Sequence, residues 1–221
     1  MNGMKGEEKM DLIQRMMKIT TLLAENYGEE LRQDQGTTDP FKILINCVLS
    51  QRTRSENAKR ASESLFAEVK GPEDILKLGE ESLRDLIRCS GFYKQKAKHI
   101  IGISRELISE FGGRTPCDRE QLICLPGVGP KTADIVLCYA YNHPTLPVDV
   151  HVAKVAKRLG LVEDNLNPES IKEALEAMVP PEKRWFVDST FIRIGKRYCR
   201  KSMPLCGICI LKVLCDYPKQ E

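Results

Sequence analysis

The sequence lacks any long hydrophobic run and any clear export signal. Its longest uncharged apolar runs, such as ILINCVLSQ, are much shorter than the about 20 residues that a membrane-spanning helix needs. The first residues, MNGMKGEEKM, carry charges where a signal peptide has an apolar centre. We therefore expect a soluble, cytoplasmic protein that makes no membrane contact.

Alternating polar and apolar runs, which are typical of β-strands, are also scarce, and helix signals dominate. Asp39 before Pro40, and Asn167 before Pro168, are typical N-caps followed by a proline at the first helical position. Ile171, Leu175 and Met178 then recur at helical spacing. We predict an all-α fold with two helical lobes and a cleft between them, the chain crossing from one lobe to the other at YNHPTLPVD.

The net charge of +3 is too small to indicate a partner by itself, but the charge is unevenly distributed. Residues 182–201 contain seven basic and two acidic side chains. Such a segment is typical either of a phosphate-facing surface or of a solvated helix face.

The stretch LPGVGPKTADIVL, residues 125–137, lacks the glycine that a nucleotide-binding phosphate loop has immediately before Lys-Thr, since Pro130 is there. It is instead typical of two helices joined by a tight turn. Unpaired N–H groups at such a turn and helix start bind anions. We expect the main chain at Gly127, Val128 and Gly129 to hold a DNA phosphate without reading sequence.

Lys131 falls in the first turn of the second helix of this hairpin. A helix N-terminus and partial burial both disfavour a positive charge, which favours the free amine that a nucleophile needs. The alternatives are a phosphate-binding lysine and a solvated one.

Asp149 precedes an apolar-periodic helix in PVDVHVAKVAKRLGL, so it is expected to be an N-cap. A carboxylate across the cleft from Lys131 would also accept its proton and stabilise positive charge on a reacting sugar. Such a carboxylate also favours the charged lysine, and the sequence leaves the balance open.

Four of the nine cysteines crowd the C-terminus as C-x6-C-x2-C-x5-C: Cys199, Cys206, Cys209 and Cys215. This spacing suits an iron–sulfur cluster or a zinc site. Zinc ribbons usually pair two C-x2-C knuckles and only one is present, so we favour a [4Fe–4S] cluster. Arg200 and Lys201 lie between the first two cysteines, where a cluster would hold them towards a DNA phosphate.

Taken together, these segments resemble the endonuclease III family of helix-hairpin-helix DNA glycosylases. The resemblance runs over most of the chain, in DPFKILINCVLSQ, GFYKQKAKHI, LPGVGPKTA, VDVHVAKVAKRLG and the cysteine loop. It implies a helical-bundle lobe over residues 36–144 that carries the hairpin. It also implies a discontinuous cluster lobe over residues 1–35 and 145–221.

By the same resemblance, Lys131 matches the nucleophile and Asp149 the essential carboxylate, whereas His151 is expected to pack between helices. The implied activity is bifunctional: a damaged base, expected to be an oxidised pyrimidine, is flipped out and excised through a lysine imine. β-Elimination then breaks the strand. The implied substrate is double-stranded DNA with a damaged or abasic nucleotide, bound by a monomer in a prokaryotic, nucleoid-associated setting.

The sequence departs from the family at one position. Where members commonly place a space-filling glutamine, this chain has Arg52, with Gln51 one residue earlier. Both are expected to contact DNA, and the sequence leaves open which one fills the space left by the flipped nucleotide.

Three other interpretations remain at this level. A uracil or thymine mismatch glycosylase would use the same fold with feeble lyase activity. A DNA-binding module with a structural zinc would need Lys131 only for affinity. A small electron carrier would have no use for Lys131, Asp149 or the hairpin.

Overall fold

The computed structural model describes residues 6–33 and 38–217, and this part of the chain is helical, without a β-strand. Its helices are α1 (Gly6–Gln33), α2 (Pro40–Ser50), α3 (Ser55–Glu68), α4 (Pro72–Leu86), α5 (Tyr93–Phe111), α6 (Arg119–Cys124), α7 (Pro130–Tyr141), α8 (Val150–Arg158), α9 (Pro168–Met178) and α10 (Arg184–Arg197). Short 3-10 helices cover Pro181–Lys183, Cys206–Ile208 and Lys212–Leu214. The predicted all-α fold class is confirmed.

Capping side chains fix where two of these helices begin. Asp39 accepts hydrogen bonds of 2.9 and 3.2 Å from two main-chain N–H groups in the first turn of α2. Asn167 accepts the N–H of Ser170 at 3.0 Å at the start of α9. A proline follows each cap directly. Both predicted N-caps are confirmed, because such signals depend only on residues that are adjacent in sequence.

The chain divides into two compact units. The hairpin unit comprises Thr37–His143 and contains α2 to α7. The cysteine unit comprises Met1–Gly36 and Pro144–Glu221 and contains α1 and α8 to α10.

In the hairpin unit, α2 packs against α3, α5 and α7. Its core includes five side chains with no solvent exposure: Leu44, Leu49, Leu65, Ile100 and Val136. Each such side chain contributes about 1.5–3 kcal/mol of transfer free energy. This packing brings the C-terminal end of α2 next to the first turn of α5 and to the turn that precedes α7.

In the cysteine unit, α10 packs against α8 and α1. Phe191 of α10 has no solvent exposure and belongs to the same core as Leu23 of α1 and Val155 of α8. The predicted apolar face of α9 is confirmed, because Ile171, Leu175 and Met178 are all buried in this core. The core supports α8 and the C-terminal loop that follows α10.

No helix within residues 6–33 and 38–217 combines the length and the hydrophobicity that are needed to cross a lipid bilayer.

Candidate active site

The turn between α6 and α7 is a tight hairpin that is built around Gly127. This residue has φ 73°, in the left-handed region that favours glycine. A Cβ at position 127 would overlap the ring of His99, so the main chain approaches α5 closely at this point. The Val128 N–H donates to the main-chain oxygen of Leu125 at 3.1 Å and closes the turn.

This hydrogen bond decides which main-chain groups of the hairpin remain available to a ligand. The N–H of Val128 is already used, although the sequence places this residue among the phosphate-binding amides. Within the described part of the chain, neither the Gly127 N–H nor the Gly129 N–H has an acceptor. Gly129 is also the N-cap of α7, where the helix dipole favours an anion.

Lys131 is the second residue of α7 and its side chain is exposed. The predicted partial burial is therefore wrong, whereas the predicted place in the first helical turn is confirmed. An ion pair supports the first turns of α7: Arg119 Nε donates to Asp134 Oδ1 at 2.9 Å. Asp134 is buried, so this contact fixes α6 against α7 within the hairpin unit.

Asp149 lies in the cysteine unit, at the start of α8. One carboxylate oxygen, Oδ1, accepts the N–H groups of His151 at 2.7 Å and Val152 at 2.9 Å. The predicted N-cap is confirmed. His151 packs against Gly195 of α10, where a Cβ would come within 2.7 Å of the His151 Cβ.

The structure distinguishes Gln51 from Arg52, between which the sequence does not decide. The Gln51 side-chain amide donates to the main-chain oxygen of Gly127 at 2.9 Å, and this residue is half-buried. The neighbouring Arg52 is exposed and has φ 49°, which is uncommon for any residue other than glycine. Gln51 therefore joins the end of α2 to the hairpin, while the side chain of Arg52 faces solvent.

The four C-terminal cysteines converge on one recess of about 400 Å³, counted with its open mouth. Its walls are Cys199, Cys206, Cys209 and Cys215, together with Arg158, Tyr198, Lys212 and Tyr217. Within residues 6–33 and 38–217, no three His, Cys, Asp or Glu side chains are arranged around a single metal ion.

Arg158, the last residue of α8, organises the chain around this recess. Its guanidinium donates to Cys199 Sγ at 3.4 Å and to the main-chain oxygens of Arg200 at 2.7 Å and Lys201 at 3.2 Å. Its own main-chain oxygen accepts the Cys215 thiol at 3.3 Å. The main chain at Arg200 and Lys201 is thus fixed, and both side chains are exposed.

Two cysteine thiols have shifted pKa values. Burial raises the pKa of the Cys209 and Cys215 thiols, and a main-chain N–H, from Leu211 and Tyr217 respectively, acts in the opposite direction. N–H groups that face the sulfur atoms favour thiolates, which is the form that binds metal.

Comparison with known proteins agrees with this arrangement. The sequence profile described as "HhH-GPD superfamily base excision DNA repair protein" matches residues 45–181. Endonuclease III of Thermotoga maritima is 42% identical over 199 residues, which cover 90% of this chain and 93% of that relative. The chain belongs to the endonuclease III family.

Solved structures of similar fold include members of the endonuclease III family and a further glycosylase. A trapped endonuclease III–DNA covalent intermediate has a TM-score of 0.83 at 30% identity, covering 92% of this chain and 95% of that one. A thermostable thymine-DNA glycosylase has a TM-score of 0.84 at 28% identity, covering 92% and 96%. The fold is therefore shared by endonuclease III and a thymine-DNA glycosylase.

Sequence analysis gives no signal for two further residues of this endonuclease III family chain, Lys96 and Phe92. Lys96 is buried although it is a lysine, and its pKa is lowered to about 8 by burial. Phe92, directly before α5, is 65% exposed and has φ 57°. Phe92 follows Gly91, where a Cβ would lie 3.0 Å from the main-chain oxygen of Arg52. An exposed aromatic side chain and an exposed arginine thus lie on adjoining turns.

The basic segment at residues 182–201 is less available than its composition suggests. Arg184 donates to the main-chain oxygens of Glu176 at 2.8 Å and Val179 at 3.3 Å, and it also pairs with the Glu176 carboxylate. Arg193 pairs with Glu30 of α1. These two arginines hold helices together, so the phosphate-facing interpretation applies only to the remaining basic side chains of the segment.

Proposed function

We propose that this chain is a base-excision DNA glycosylase with AP lyase activity, in which Lys131 is the nucleophile. The observation that carries the proposal is the exposed Lys131 at the start of α7, two residues after a glycine whose N–H has no acceptor in the described chain. A trapped covalent complex with DNA in a relative of the same fold supports an enzyme-bound intermediate.

The hairpin holds the DNA backbone next to the nucleophile. The N–H groups of Gly127 and Gly129 and the positive end of the α7 dipole bind one phosphate. This contact positions the strand without reading its bases. Gln51 keeps the Gly127 carbonyl turned away from the phosphate by engaging it in a hydrogen bond.

The chemistry transfers one bond from the base to the lysine. The uncharged Nζ of Lys131 attacks C1′ of the flipped nucleotide, and the C1′–N bond breaks with its electron pair leaving on the base, which takes up a proton. Nζ then loses one proton, and its lone pair forms a C=N bond to C1′ as the C1′–O4′ bond breaks with its electron pair leaving on O4′, which takes up a proton; the product is a ring-opened, protonated imine. Loss of a C2′ proton then expels the 3′ phosphate oxygen.

Asp149 serves this step as a carboxylate. It accepts a proton from the lysine and stabilises the positive charge that develops on the sugar. The two main-chain N–H groups that bind its Oδ1 hold the carboxylate in one orientation.

Arg52 and Phe92 form the surface that replaces the extruded nucleotide. A guanidinium hydrogen-bonds the widowed base, and an aromatic ring inserts between base pairs as apolar wedges do in other DNA-bending proteins. Both side chains are exposed.

The four cysteines of the C-terminal recess hold a [4Fe–4S] cluster. The four cysteines line one recess and contain only one C-x2-C pair, a spacing that suits a [4Fe–4S] cluster better than a zinc ribbon. When bound, the cluster supplies a cross-link for a loop with few buried side chains. Arg200 and Lys201 then present their charges to DNA.

The substrate is an oxidised pyrimidine in duplex DNA, and the protein acts as a monomer in the cytoplasm. Uracil or thymine in a mismatch remains the alternative substrate, because a thymine-DNA glycosylase has an equally similar fold. The hairpin and Lys131 serve either substrate in the same way.

A panel of duplexes tests the proposal. The protein is incubated with oxidised pyrimidines, a uracil mismatch, a thymine mismatch and an abasic site, each with and without borohydride. Borohydride reduces the imine, so a protein–DNA adduct is expected with the oxidised pyrimidines and the abasic site. Adducts or base release only with the mismatches would favour the alternative substrate, and no product with any duplex would contradict the proposed function.

A further inference from the structure

Lys96 is buried in the hairpin unit and uses its whole donor capacity on neutral oxygens. Its Nζ donates to the main-chain oxygen of Leu49 at 2.7 Å, to Thr53 Oγ1 at 2.7 Å and to Ser90 Oγ at 2.8 Å. An ammonium group has three donors, so each N–H has one acceptor. Leu49 lies in the last turn of α2, where a cation also compensates the helix dipole.

These contacts close around the turn that carries Arg52. Thr53 Oγ1 accepts from Lys96 and donates to the main-chain oxygen of Gln51 at 3.1 Å, so it connects the ammonium to the residue before Arg52. The Thr53 N–H donates to the main-chain oxygen of Ser50 at 3.2 Å. Gly91 packs against the main-chain oxygen of Arg52 from the other side.

A left-handed arginine persists only where its surroundings fix it. Arg52 itself is exposed, so its own side chain does not supply that constraint. The constraint comes from the flanking residues, through Gln51 bonded to Gly127 and Thr53 bonded to Lys96.

Burial of the Lys96 ammonium carries a cost, because it lowers the pKa of Lys96 to about 8 and so disfavours the ammonium form in the folded state relative to the unfolded chain. An apolar side chain would avoid this cost but would leave the turn at Thr53 without its donor. Buried charges that oppose stability are commonly found where they serve a site.

We infer that Lys96 is a positioning residue for base extrusion, which holds the Gln51–Thr53 turn so that Arg52 is preorganised to fill the space left by the flipped nucleotide. The inference rests on the proposed function, because it assigns Lys96 a task in that reaction. A wedge that is ordered before binding loses less conformational entropy when it enters the DNA. Lys96 acts through Thr53 and Arg52 and does not touch the reacting atoms.

Thr53 offers the sharpest test, because its substitutions separate the hydroxyl from the side-chain shape. Thr53→Val removes the acceptor for Lys96 at nearly constant volume, and Thr53→Ser retains it. Single-turnover rates are measured on a duplex with a paired oxidised pyrimidine and on a duplex with an abasic site, which has no base to unstack. Thr53→Val should slow the lesion reaction about threefold to tenfold relative to the abasic reaction, because the hydroxyl contacts with Lys96 and with Gln51 are both lost. Thr53→Ser should restore the ratio.

A double-mutant cycle with Arg52→Ala tests whether the effect passes through Arg52. Arg52→Ala alone should lower the same ratio, and adding Thr53→Val should lower it no further. Full additivity would overturn the inference, as would equal losses by Thr53→Val on both substrates.

Lys96→Met provides a second, independent variant. It should reproduce the selective loss of Thr53→Val, with urea unfolding used to confirm that it is folded. An unchanged ratio in folded Lys96→Met would overturn the inference. Failure of the proposed function is distinguishable, because the unmutated protein would then cleave neither substrate.

Discussion

The side-chain amide of Gln51 and the main-chain oxygen of Gly127 are joined by a hydrogen bond of 2.9 Å. This bond links the residue after α2 to the turn that is proposed to hold DNA, across 76 positions in sequence. The turn that carries Arg52 and the hairpin are therefore directly connected, and a substitution that disturbs one of them should affect the other.

Gln51→Leu tests this coupling. The variant keeps the side-chain volume but loses the donor, so the free energy of unfolding should fall by about 0.5–1.5 kcal/mol. Rates on lesion and abasic duplexes should both fall because the hairpin serves both substrates, and the rate on the lesion duplex should fall further because the turn that carries Arg52 also loses one of its two constraints. Urea unfolding and single-turnover assays provide the readouts. Gln121→Leu, at an exposed glutamine of α6, is the matched control. An equal loss of stability and rate in Gln121→Leu would show that the hydrogen bond to Gly127 is not the cause of the effect.

Lys131→Gln should abolish the borohydride adduct with abasic DNA. Duplex affinity should stay within about tenfold, which corresponds to about 1.4 kcal/mol, because the phosphate is held by main-chain groups. Electrophoretic mobility shift and adduct formation are measured on the same samples. Lys98→Gln, an exposed lysine in α5, should still form the adduct. An adduct that persists in Lys131→Gln would assign the imine to another amine.

Asp149→Asn and Asp149→Ala separate capping from catalysis. Asparagine caps about as well as aspartate, so Asp149→Asn should keep its melting temperature and lose most of its turnover. Asp149→Ala loses the cap as well, and its unfolding free energy should fall by about 1 kcal/mol. Near-normal turnover in Asp149→Asn would limit Asp149 to the start of α8.

The stability contribution of Lys96 should depend on pH. Its pKa in the folded protein, about 8, is below the ordinary value of 10.5, so between these pH values the unfolded chain binds more protons. Stability therefore rises with pH across this window relative to Lys96→Met, by a maximum of about 3 kcal/mol. Urea unfolding at pH 7.5 and pH 10 measures the difference. The exposed Lys98→Met is the control, and a Lys96→Met difference that is the same at both pH values would contradict the lowered pKa.

Protein purified without oxygen should contain iron and acid-labile sulfide in near-equal amounts. Replacement of Cys206 or Cys209 by serine should lower both contents and the yield of folded protein together, because metal binding and folding are coupled at such sites. Cys138→Ser, in a buried cysteine of the hairpin unit, should leave the iron content unchanged. A content of one zinc ion per chain and no sulfide would indicate a zinc site instead of the cluster.

Sequence analysis succeeds where the signal is local. The caps at Asp39 and Asn167 and the apolar face of α9 are recognisable because the residues that define them lie within a few positions of one another. The convergence of the four cysteines on one recess follows from their close spacing.

It fails where the deciding partner is distant in the chain. The network of Lys96 includes Leu49 and Thr53, which are 47 and 43 positions away, so nothing near Lys96 indicates that it is buried. In the sequence, Arg193 does not differ from the other basic residues of its segment, because its partner Glu30 lies far away in α1. Whether Gln51 or Arg52 faces solvent depends on Gly127, which composition and periodicity do not connect to either.

The loop that carries the four cysteines contacts α1. Arg15 Nη1 pairs with Asp216 Oδ2 at 2.6 Å, and its Nη2 donates to the main-chain oxygen of Leu214 at 2.8 Å. Arg15 and Asp216 are 201 residues apart, so the ribosome adds Asp216 long after Arg15. α1 therefore gains this partner only after the whole segment between them has been translated. A nascent chain released before Asp216 lacks the residue that connects the loop of the four cysteines to α1.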